Sequence, residues 1–230
     1  MGWARNNPAT ACTAAAIVLT AMTGLAPAVQ AEPKVAVTGE ARLQLDMLWP
    51  AAHARGISRS LFDRIAADFV PDPDVIQLAM SQPEHHKPPG AYLAHLVTPE
   101  RVAAGRALAA EHAALLAAIE AAYGVDRHVL LAIWGVESAY GTAMGSRNVV
   151  RSLATLAITD TRRAVFWRNE LVAALRIIQD GLTAPETFVG SWAGATGHMQ
   201  FIPSAYAAHA VDFDKDGRRD IWDGIGDALA

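Results

Sequence analysis

The sequence predicts a mainly α-helical domain, and three features of the 230-residue chain support that prediction. Apolar residues recur at helical spacing, as Leu61, Ile65 and Phe69 do. Capping residues precede several of these runs, whereas the alternation of apolar and polar residues that marks a half-buried strand is almost absent. Because no internal repeat and no long linker divides the chain, one domain of ordinary size is expected.

In the first part of this domain, helical patterns are expected to dominate after a short lead-in. Residues 32–39 are interpreted as an extended lead-in. Ser58 is expected to cap a helix, and Pro71 and Pro73 are expected to end it. The proline-rich stretch 82–90 is predicted to be a loop.

Stronger helix signals follow from Thr98 onwards. Thr98 and Pro99 combine a capping residue with a first-turn proline, so one long helix is predicted from there to Tyr123. Asp126 is expected to cap the next helix, and Gly141 is expected to end it. Two further helices are predicted at 150–158 and 163–179.

The first 31 residues are expected to be a secretory signal peptide. One positive charge, Arg5, precedes an alanine-rich apolar run over 11–29, and small residues lead up to a cleavage point near Ala31. A membrane anchor is the alternative, but threonines, a glycine and Pro27 interrupt the apolar run. The mature domain, residues 32–230, is therefore expected to be periplasmic.

The charge balance and the single cysteine narrow the possible partners. The leader holds one of the 19 basic residues and none of the 23 acidic ones, so its removal changes the formal net charge from −4 to −5. A chain of this charge is not expected to bind nucleic acid, and no second apolar run is long enough to span a bilayer. The only cysteine, Cys12, lies in the leader, so the mature chain needs no disulfide. The mature chain is expected to be a monomer.

Glu137 is the only formally charged residue between Arg127 and Arg147. Its predicted helix is otherwise apolar, and Ile133 and Trp134 precede it by one turn on the same face. Ionising a carboxylate in such surroundings is costly, so Glu137 is expected to be buried and to serve as a general acid. For an isolated glutamate, the alternative is a buried side chain held by a structural partner, or a side chain at a helix end that faces water.

A second segment, residues 190–204, combines three glycines with aromatic and isolated polar side chains. Glycine lets the backbone approach a ligand closely. Trp192 and Phe201 would offer flat faces to a sugar ring. Ser191 and Gln200 would offer hydrogen bonds to hydroxyl or N-acetyl groups. A glycine-rich surface loop without a ligand is the alternative that composition leaves open.

Together the two segments resemble the B-type lytic murein transglycosylases. The resemblance rests on Glu-Ser-x-Tyr-Gly at 137–141 and Gly-Ala-x-Gly-x-x-Gln-Phe-x-Pro-Ser at 194–204, and it extends from about residue 40 to the end. It implies a lysozyme-like fold and non-hydrolytic cleavage of the β-1,4 bond between N-acetylmuramic acid and N-acetylglucosamine of peptidoglycan. It makes Glu137 the single acid and base, with the muramic acid's own C6 hydroxyl as nucleophile and a 1,6-anhydro sugar as product.

The resemblance also implies which residues bind the glycan. Serine and glutamine of the second segment would hold the sugar near the cleaved bond, a tyrosine would be a cleft aromatic, and two adjacent arginines would lie near the cleft. Outside a cleft, a double arginine is more often part of a solvated surface. The implied substrate-binding residues are Ser191, Gln200, Tyr92, Arg162, Arg163, Met199 and Phe201.

An acidic stretch over residues 212–223 has the spacing of an EF-hand loop. Counted from Asp212, acids occupy positions 1, 3, 5, 9 and 12, and Gly217 occupies position 6. Five carboxylates this close repel one another, so a structural calcium ion is predicted, and a solvated acidic turn is the alternative. The predicted ligands are Asp212, Asp214, Asp216, the Arg218 carbonyl, Asp220 and Asp223. No organic cofactor is expected.

Two departures from the family pattern keep other functions open. Thr196 stands where the family often has methionine, and family members continue past residue 230, so the domain is expected to be truncated at its C-terminal end. A hydrolytic muramidase, which would need a second carboxylate, is one alternative. A non-catalytic, calcium-dependent peptidoglycan-binding protein is the other.

Overall fold

A computed structural model gives the structure of residues 34–81 and 88–230, and these residues are mainly helical, as predicted. The expected signal peptide lies outside the described residues. The helices are α1 (Lys34–Asp46), α2 (Trp49–Ala54), α3 (Arg59–Ala67), α4 (Pro73–Ser81), α5 (Pro89–Leu96), α6 (Pro99–Glu111), α7 (Ala113–Tyr123), α8 (Arg127–Ser138), α9 (Val149–Thr159), α10 (Ala164–Gln179), α11 (Pro203–His209) and α12 (Ile225–Leu229). The strands β1 (Arg147–Asn148) and β2 (Val189–Gly190) pair antiparallel.

Side-chain caps start three of the helices where the sequence predicted them. The Ser58 hydroxyl accepts the Leu61 N–H at 3.3 Å and opens α3. Thr98 opens α6 in the same way, and the Asp126 carboxylate opens α8. Each cap satisfies an N–H that has no partner inside its helix. The predicted helices at 150–158 and 163–179 are α9 and α10, with bounds shifted by one residue at most.

The predictions for the N-terminal part were wrong in two places. The stretch read as an extended lead-in is helical from Lys34, because α1 buries Ala41 and Leu45 in the main core. The stretch read as a loop ends early, since α5 begins at Pro89; residues 82–87 lie outside the described residues. A proline fits the first turn of a helix, where its missing N–H costs nothing.

The single long helix predicted for residues 98–123 is in fact two helices, because α6 and α7 meet at His112 with a bend of 83°. The bend turns α7 back so that Leu116 and Ile119 are buried with Trp134 of α8. A straight helix would leave those two side chains in water, so burial outweighs the continuous helical propensity of the sequence.

Two hydrophobic clusters organise the fold. The main core surrounds α9, in which eight of eleven residues are buried, and it is closed by α1–α4 and α10. The second cluster joins α7, α8 and Leu229 of α12. The end of α8 therefore lies where the second cluster meets the segment before β1 and the segment after β2.

Among the described residues, no single helix is long and apolar enough to cross a membrane. Helices α6 and α7 meet the length and composition criteria only as a bent pair.

Candidate active site

Glu137 lies in the last turn of α8, and its side chain is exposed to solvent. The expectation that it is buried was therefore wrong. On the same side of the helix, Ile133 is 43% exposed and Val136 is 41% exposed, whereas Trp134 and Ser138 face the interior at 1%. Because α8 is apolar nearly all round, its sequence did not reveal which face would pack. Glu137 instead stands at the edge of an exposed apolar surface.

The end of α8 is an unusual turn of left-handed residues. The helix ends at Ser138, and Ala139, Tyr140 and Gly141 follow with φ values of 48°, 61° and 84°. The helix thus ends three residues before the predicted glycine stop. The turn sends the Tyr140 ring back against Trp134, where its hydroxyl donates a 3.1 Å hydrogen bond to the Arg101 carbonyl of α6.

Ser138 connects the end of α8 to the glycine-rich segment. Its hydroxyl donates to the His198 carbonyl at 2.5 Å and accepts the Gly141 N–H at 2.9 Å. Trp134, one turn earlier, donates its indole N–H to Nδ1 of the His198 ring at 3.1 Å. The structure therefore brings together the two segments that the sequence predicted to form one site, although they are some sixty residues apart.

Ser191 follows β2 and is oriented by its own loop. Its Oγ accepts N–H groups from Ala193 at 3.3 Å and from Ala195 at 3.0 Å. Since both lone pairs of the hydroxyl face backbone donors, its proton is the part that can reach a ligand. Gly145 makes room for this loop: a Cβ there would lie 2.2 Å from the Gly190 carbonyl.

Gln200 donates hydrogen bonds to the surrounding backbone, whereas Ser191 accepts them. Its Nε2 donates to the carbonyls of Met144 and Gly197, both at 3.0 Å, so its Oε1 is the atom that can accept from a ligand. The residue holds a left-handed φ of 51°. Ser191 and Gln200 thus offer one donor and one acceptor, a pair that an amide group or two hydroxyls would match.

The aromatic and apolar candidates of this segment are used partly in packing. Trp192 and Phe201 are partly buried against the main core, and Met199 packs against the second cluster. The sequence predicted that they offer surfaces to a sugar. Their positions beside Ser191 and Gln200 keep them near the site, but much of their surface supports the loop.

His198 is a site residue that sequence reasoning missed. Since an indole N–H only donates, Nδ1 accepts from Trp134 and the ring proton sits on Nε2. Burial lowers the pKa of His198, with Asp223, Asp220 and the Trp222 backbone opposing that effect. A histidine between Gly197 and Gln200 was visible in the motif, but its partners lie in α8 and could not be read from the sequence.

The acidic segment gathers a different set of carboxylates from the one that EF-hand spacing predicted. Oxygens of Asp212, Asp214 and Asp227 lie within 4.8 Å of one another. Among the described residues, Asp216, Asp220 and Asp223 do not join this group. Asp220 instead accepts the N–H groups of Trp222 and Asp223, as in a turn. Three of the predicted ligands, Asp216, Asp220 and Asp223, therefore lie outside the group, and Asp227, which was not predicted, lies in it.

Asp227 was missed because it lies beyond the twelve-residue EF-hand register. It is 4% exposed and accepts N–H groups from Phe213 at 2.7 Å and from Asp220 at 2.8 Å, which folds the segment round it. An N–H from Asp216 lowers the pKa of Asp214, but desolvation and the carboxylates of Asp216, Asp227 and Asp212 raise it overall. A hard cation would relieve this repulsion, and carboxylate oxygens are the ligands that calcium prefers.

Residues 40–230 match the family model described as the transglycosylase SLT domain. The chain belongs to this family. The SLT domain is 36% identical over 141 residues to the membrane-bound lytic murein transglycosylase B of Escherichia coli K12. The match covers 60% of this chain and 39% of that relative.

Solved structures show the same fold as this SLT domain. Pseudomonas aeruginosa SltB3 in complex with NAG-NAM-pentapeptide is 47% identical, with a TM-score of 0.77 over 83% of this chain and 50% of that one. E. coli Slt35 in complex with calcium is 31% identical, with a TM-score of 0.70 over 82% and 59%. The lysozyme-like fold class is thereby confirmed. The chain spans between two fifths and three fifths of the length of these relatives.

The remaining candidates lie at different distances from the joined segments of the SLT domain. Tyr92 is 40% exposed on α5, a helix with no buried residue. The Arg101 guanidinium donates to the Leu96 carbonyl, and the Arg101 carbonyl accepts from Tyr140, so the end of α5 is tied to the end of α8. Tyr92 therefore lies one helical turn before Leu96, the residue of α5 that is tied through Arg101 to the end of α8.

Arg162 and Arg163 are not gathered with Ser191 and Gln200. They follow the C-terminal end of α9, whereas β1 and β2 adjoin its N-terminal end, and an eleven-residue helix spans about 16 Å. Arg162 donates to the Ala79 carbonyl at 3.3 Å. Arg163 stacks over the rings of Phe166 and Trp167. The structure therefore places both arginines beyond the far end of α9.

Proposed function

We propose that this SLT domain is a peptidoglycan lytic transglycosylase that uses Glu137 as its single acid and base. The observation that carries the proposal is the bond from Ser138, the neighbour of Glu137, to the His198 carbonyl at 2.5 Å. That bond ties the backbone next to Glu137 to the loop that offers a donor at Ser191 and an acceptor at Gln200.

The distribution of carboxylates favours transfer within the substrate over hydrolysis. Between Asp126 and Asp160 the chain has one acid, Glu137, and between Glu186 and Asp212 it has none. Hydrolysis with an activated water commonly uses a second carboxylate. An attached hydroxyl needs none, because its effective concentration is already high.

The proposed reaction balances with one carboxyl group. Glu137 gives its proton to the glycosidic oxygen as the bond from that oxygen to C1 of the muramic acid breaks. The C6 hydroxyl attacks C1, and the Glu137 carboxylate takes its proton, so the enzyme returns to its starting state. Water is neither consumed nor released. The products are a free 4-hydroxyl and a 1,6-anhydro sugar.

Relatives of known structure support the choice of substrate. P. aeruginosa SltB3 has been solved with NAG-NAM-pentapeptide and also with NAG-anhNAM-pentapeptide, at 47% identity in both cases. The proposed glycan hydrogen bonds come from the Ser191 hydroxyl proton and the Gln200 Oε1. Met199, Phe201 and Tyr92 are proposed as supporting contacts. For Arg162 and Arg163 we propose only contact with parts of the polymer beyond the cleaved bond.

Product analysis tests the proposed function. Purified peptidoglycan is incubated with the wild-type chain, with Glu137→Gln and with Glu111→Gln, which changes an exposed glutamate of α6. We expect anhydro-sugar ends, detected by mass spectrometry, from the wild type and the Glu111 variant. Loss of the acid should lower the rate by about 10²- to 10⁴-fold.

Each other outcome selects an alternative. Products heavier by one water, with reducing ends, would identify a hydrolytic muramidase. Binding to peptidoglycan without any product would identify a glycan-binding protein. Full activity of Glu137→Gln would overturn the catalytic assignment.

We also propose that Asp212, Asp214 and Asp227 hold a structural calcium ion. The support is the closeness of their oxygens and the calcium complex of the related Slt35. When bound, the ion would neutralise the repulsion among these carboxylates and fix the segment that carries Ile221, whose carbonyl accepts the His198 N–H at 3.0 Å.

On sequence grounds we further propose export to the periplasm, with cleavage near Ala31. N-terminal sequencing of the protein recovered from a periplasmic fraction tests this proposal. A mature protein that begins at Met1 would contradict it.

A further inference from the structure

His198 is held on three sides by parts of the chain that surround the proposed catalytic site. Its ring accepts from Trp134, its carbonyl accepts from Ser138, and its N–H donates to the Ile221 carbonyl at 3.0 Å. Trp134 and Ser138 flank Glu137 on α8, at three residues before it and one after it. His198 thus links the helix that carries Glu137, the glycine-rich loop and the acidic segment.

The imidazole of His198 is partly buried, and it is closely packed on the side that faces α8. A Cβ at Gly141 would lie 2.3 Å from Cε1 of the ring, so the turn after α8 leaves room for this side chain only because it has glycine there. The Trp134 ring meets the imidazole edge to face at a centroid distance of 5.6 Å. Trp134 is itself 1% exposed and therefore rigid. The ring is thus confined on the side that faces α8 and the turn after it.

The chain from His198 leads directly to Gln200. Only Met199 separates His198 from the left-handed backbone of Gln200, whose side chain donates to the carbonyls of Gly197 and Met144. The position of the Gln200 acceptor relative to Glu137 therefore depends on how His198 is seated against α8. A glycosidic oxygen must lie within hydrogen-bond reach of Glu137 while the sugar is held by the loop.

We propose that His198 is a positioning residue, whose Nδ1 bond to the Trp134 indole sets the loop that carries Gln200 at its working distance from Glu137. This inference rests on the proposed function. It assigns His198 no proton transfer and no contact with the reacting atoms. Its effect is on the chemical step, because a small displacement of the substrate mainly lowers kcat.

Three variants separate the hydrogen bond from the packing of the ring. His198→Phe keeps a ring but removes the acceptor, and Trp134→Phe removes the donor from the other side. His198→Asn keeps an acceptor close to the place of Nδ1. His128→Phe is the matched control, because His128 lies on α8 with its side chain 80% exposed. The rates of turnover of soluble peptidoglycan strands are divided by the folded fraction.

We expect both changes that remove the bond, His198→Phe and Trp134→Phe, to lower kcat by about 10- to 100-fold, with KM within about twofold of the wild type. His198→Asn should recover most of kcat, and His128→Phe should match the wild type. The variant that combines His198→Phe with Trp134→Phe should be no slower than the slower of the two single variants, because the two changes remove the same hydrogen bond. If His198→Phe is too unstable to purify, Trp134→Phe decides the question.

Wild-type kcat in a folded His198→Phe or Trp134→Phe variant would overturn the inference, as would His198→Asn being no better than His198→Phe. A change confined to KM would also overturn it. A wild-type chain that does not turn over peptidoglycan would show the proposed function to be wrong, and this inference with it.

Discussion

The Ser138 hydroxyl donates a 2.5 Å hydrogen bond to the His198 carbonyl, and it is itself 1% exposed. Leaving a buried polar group without its partner costs about 1–3 kcal/mol, so removing this bond should lower the stability of the fold. It also fixes the residue next to Glu137. Stability and the proposed catalysis therefore depend on one hydroxyl.

The first prediction concerns that hydroxyl. Ser138→Ala should lower the free energy of unfolding by about 1–3 kcal/mol, because the His198 carbonyl and the Gly141 N–H both lose their partner. Thr142→Ala, on the exposed side of the same turn, should change it by less than about 0.5 kcal/mol. Urea denaturation measures both. Equal effects of the two changes would contradict the prediction.

The second prediction concerns calcium. At a concentration about 100 times its Kd, the ion should add about 2.7 kcal/mol of stability, which is a rise of several degrees in Tm for a chain of this size. The calcium-induced rise should vanish in Asp227→Asn and persist in Asp223→Asn, because only Asp227 joins Asp212 and Asp214. Differential scanning calorimetry with and without calcium measures the rise in each protein.

Two results would decide against this assignment. Loss of the rise in Asp223→Asn together with its persistence in Asp227→Asn would restore the EF-hand register. A wild-type Tm that does not respond to calcium would identify the segment as a solvated acidic turn.

The third prediction concerns pH. Burial lowers the pKa of His198 in the folded protein, so below an unfolded pKa of about 6.5 the unfolded chain binds more protons there. The stability that neutral His198 contributes is present above that pH and is lost as the pH falls towards the folded pKa. Between pH 7.5 and 5.5 the wild type should therefore lose more stability than His198→Asn. Urea denaturation at both pH values measures the loss of stability in the wild type and in His198→Asn. Equal losses in the two proteins would contradict a lowered pKa of His198 in the folded state.

The fourth prediction separates steric conflict from backbone conformation at glycine. Gly145 has a φ of 90°, and a Cβ there would lie 2.2 Å from the Gly190 backbone, which cannot move aside without opening the β1–β2 pair. Gly124 has a φ of 70°, and a Cβ added there would have nothing within 4 Å. Gly124→Ala should thus cost about 1–2 kcal/mol, the penalty for a left-handed residue.

Gly145→Ala should cost clearly more than Gly124→Ala and should also reduce turnover, because it displaces the loop that carries Ser191. Thermal unfolding of the two variants gives the comparison. Similar stabilities would mean that the loop adapts to the added methyl group.

Some features of the fold were predictable because their cause is local. Ser58, Thr98 and Asp126 start helices by bonding N–H groups two or three residues away, so the sequence reveals them. The bend at His112 was not predictable. It contains neither glycine nor proline, and it exists because Leu116 and Ile119 are buried against α8.

By itself, the sequence determined the helical class, the family motifs and the two segments that carry the site, since each depends on residue types at short spacing. Only the tertiary structure decided that Glu137 faces solvent, that Asp227 replaces Asp223 beside Asp212, and that His198 joins the two segments. The physical reason is the same in each case. Which face of an apolar helix packs, and which distant carboxylate or indole meets a loop, depends on contacts between residues far apart in the chain.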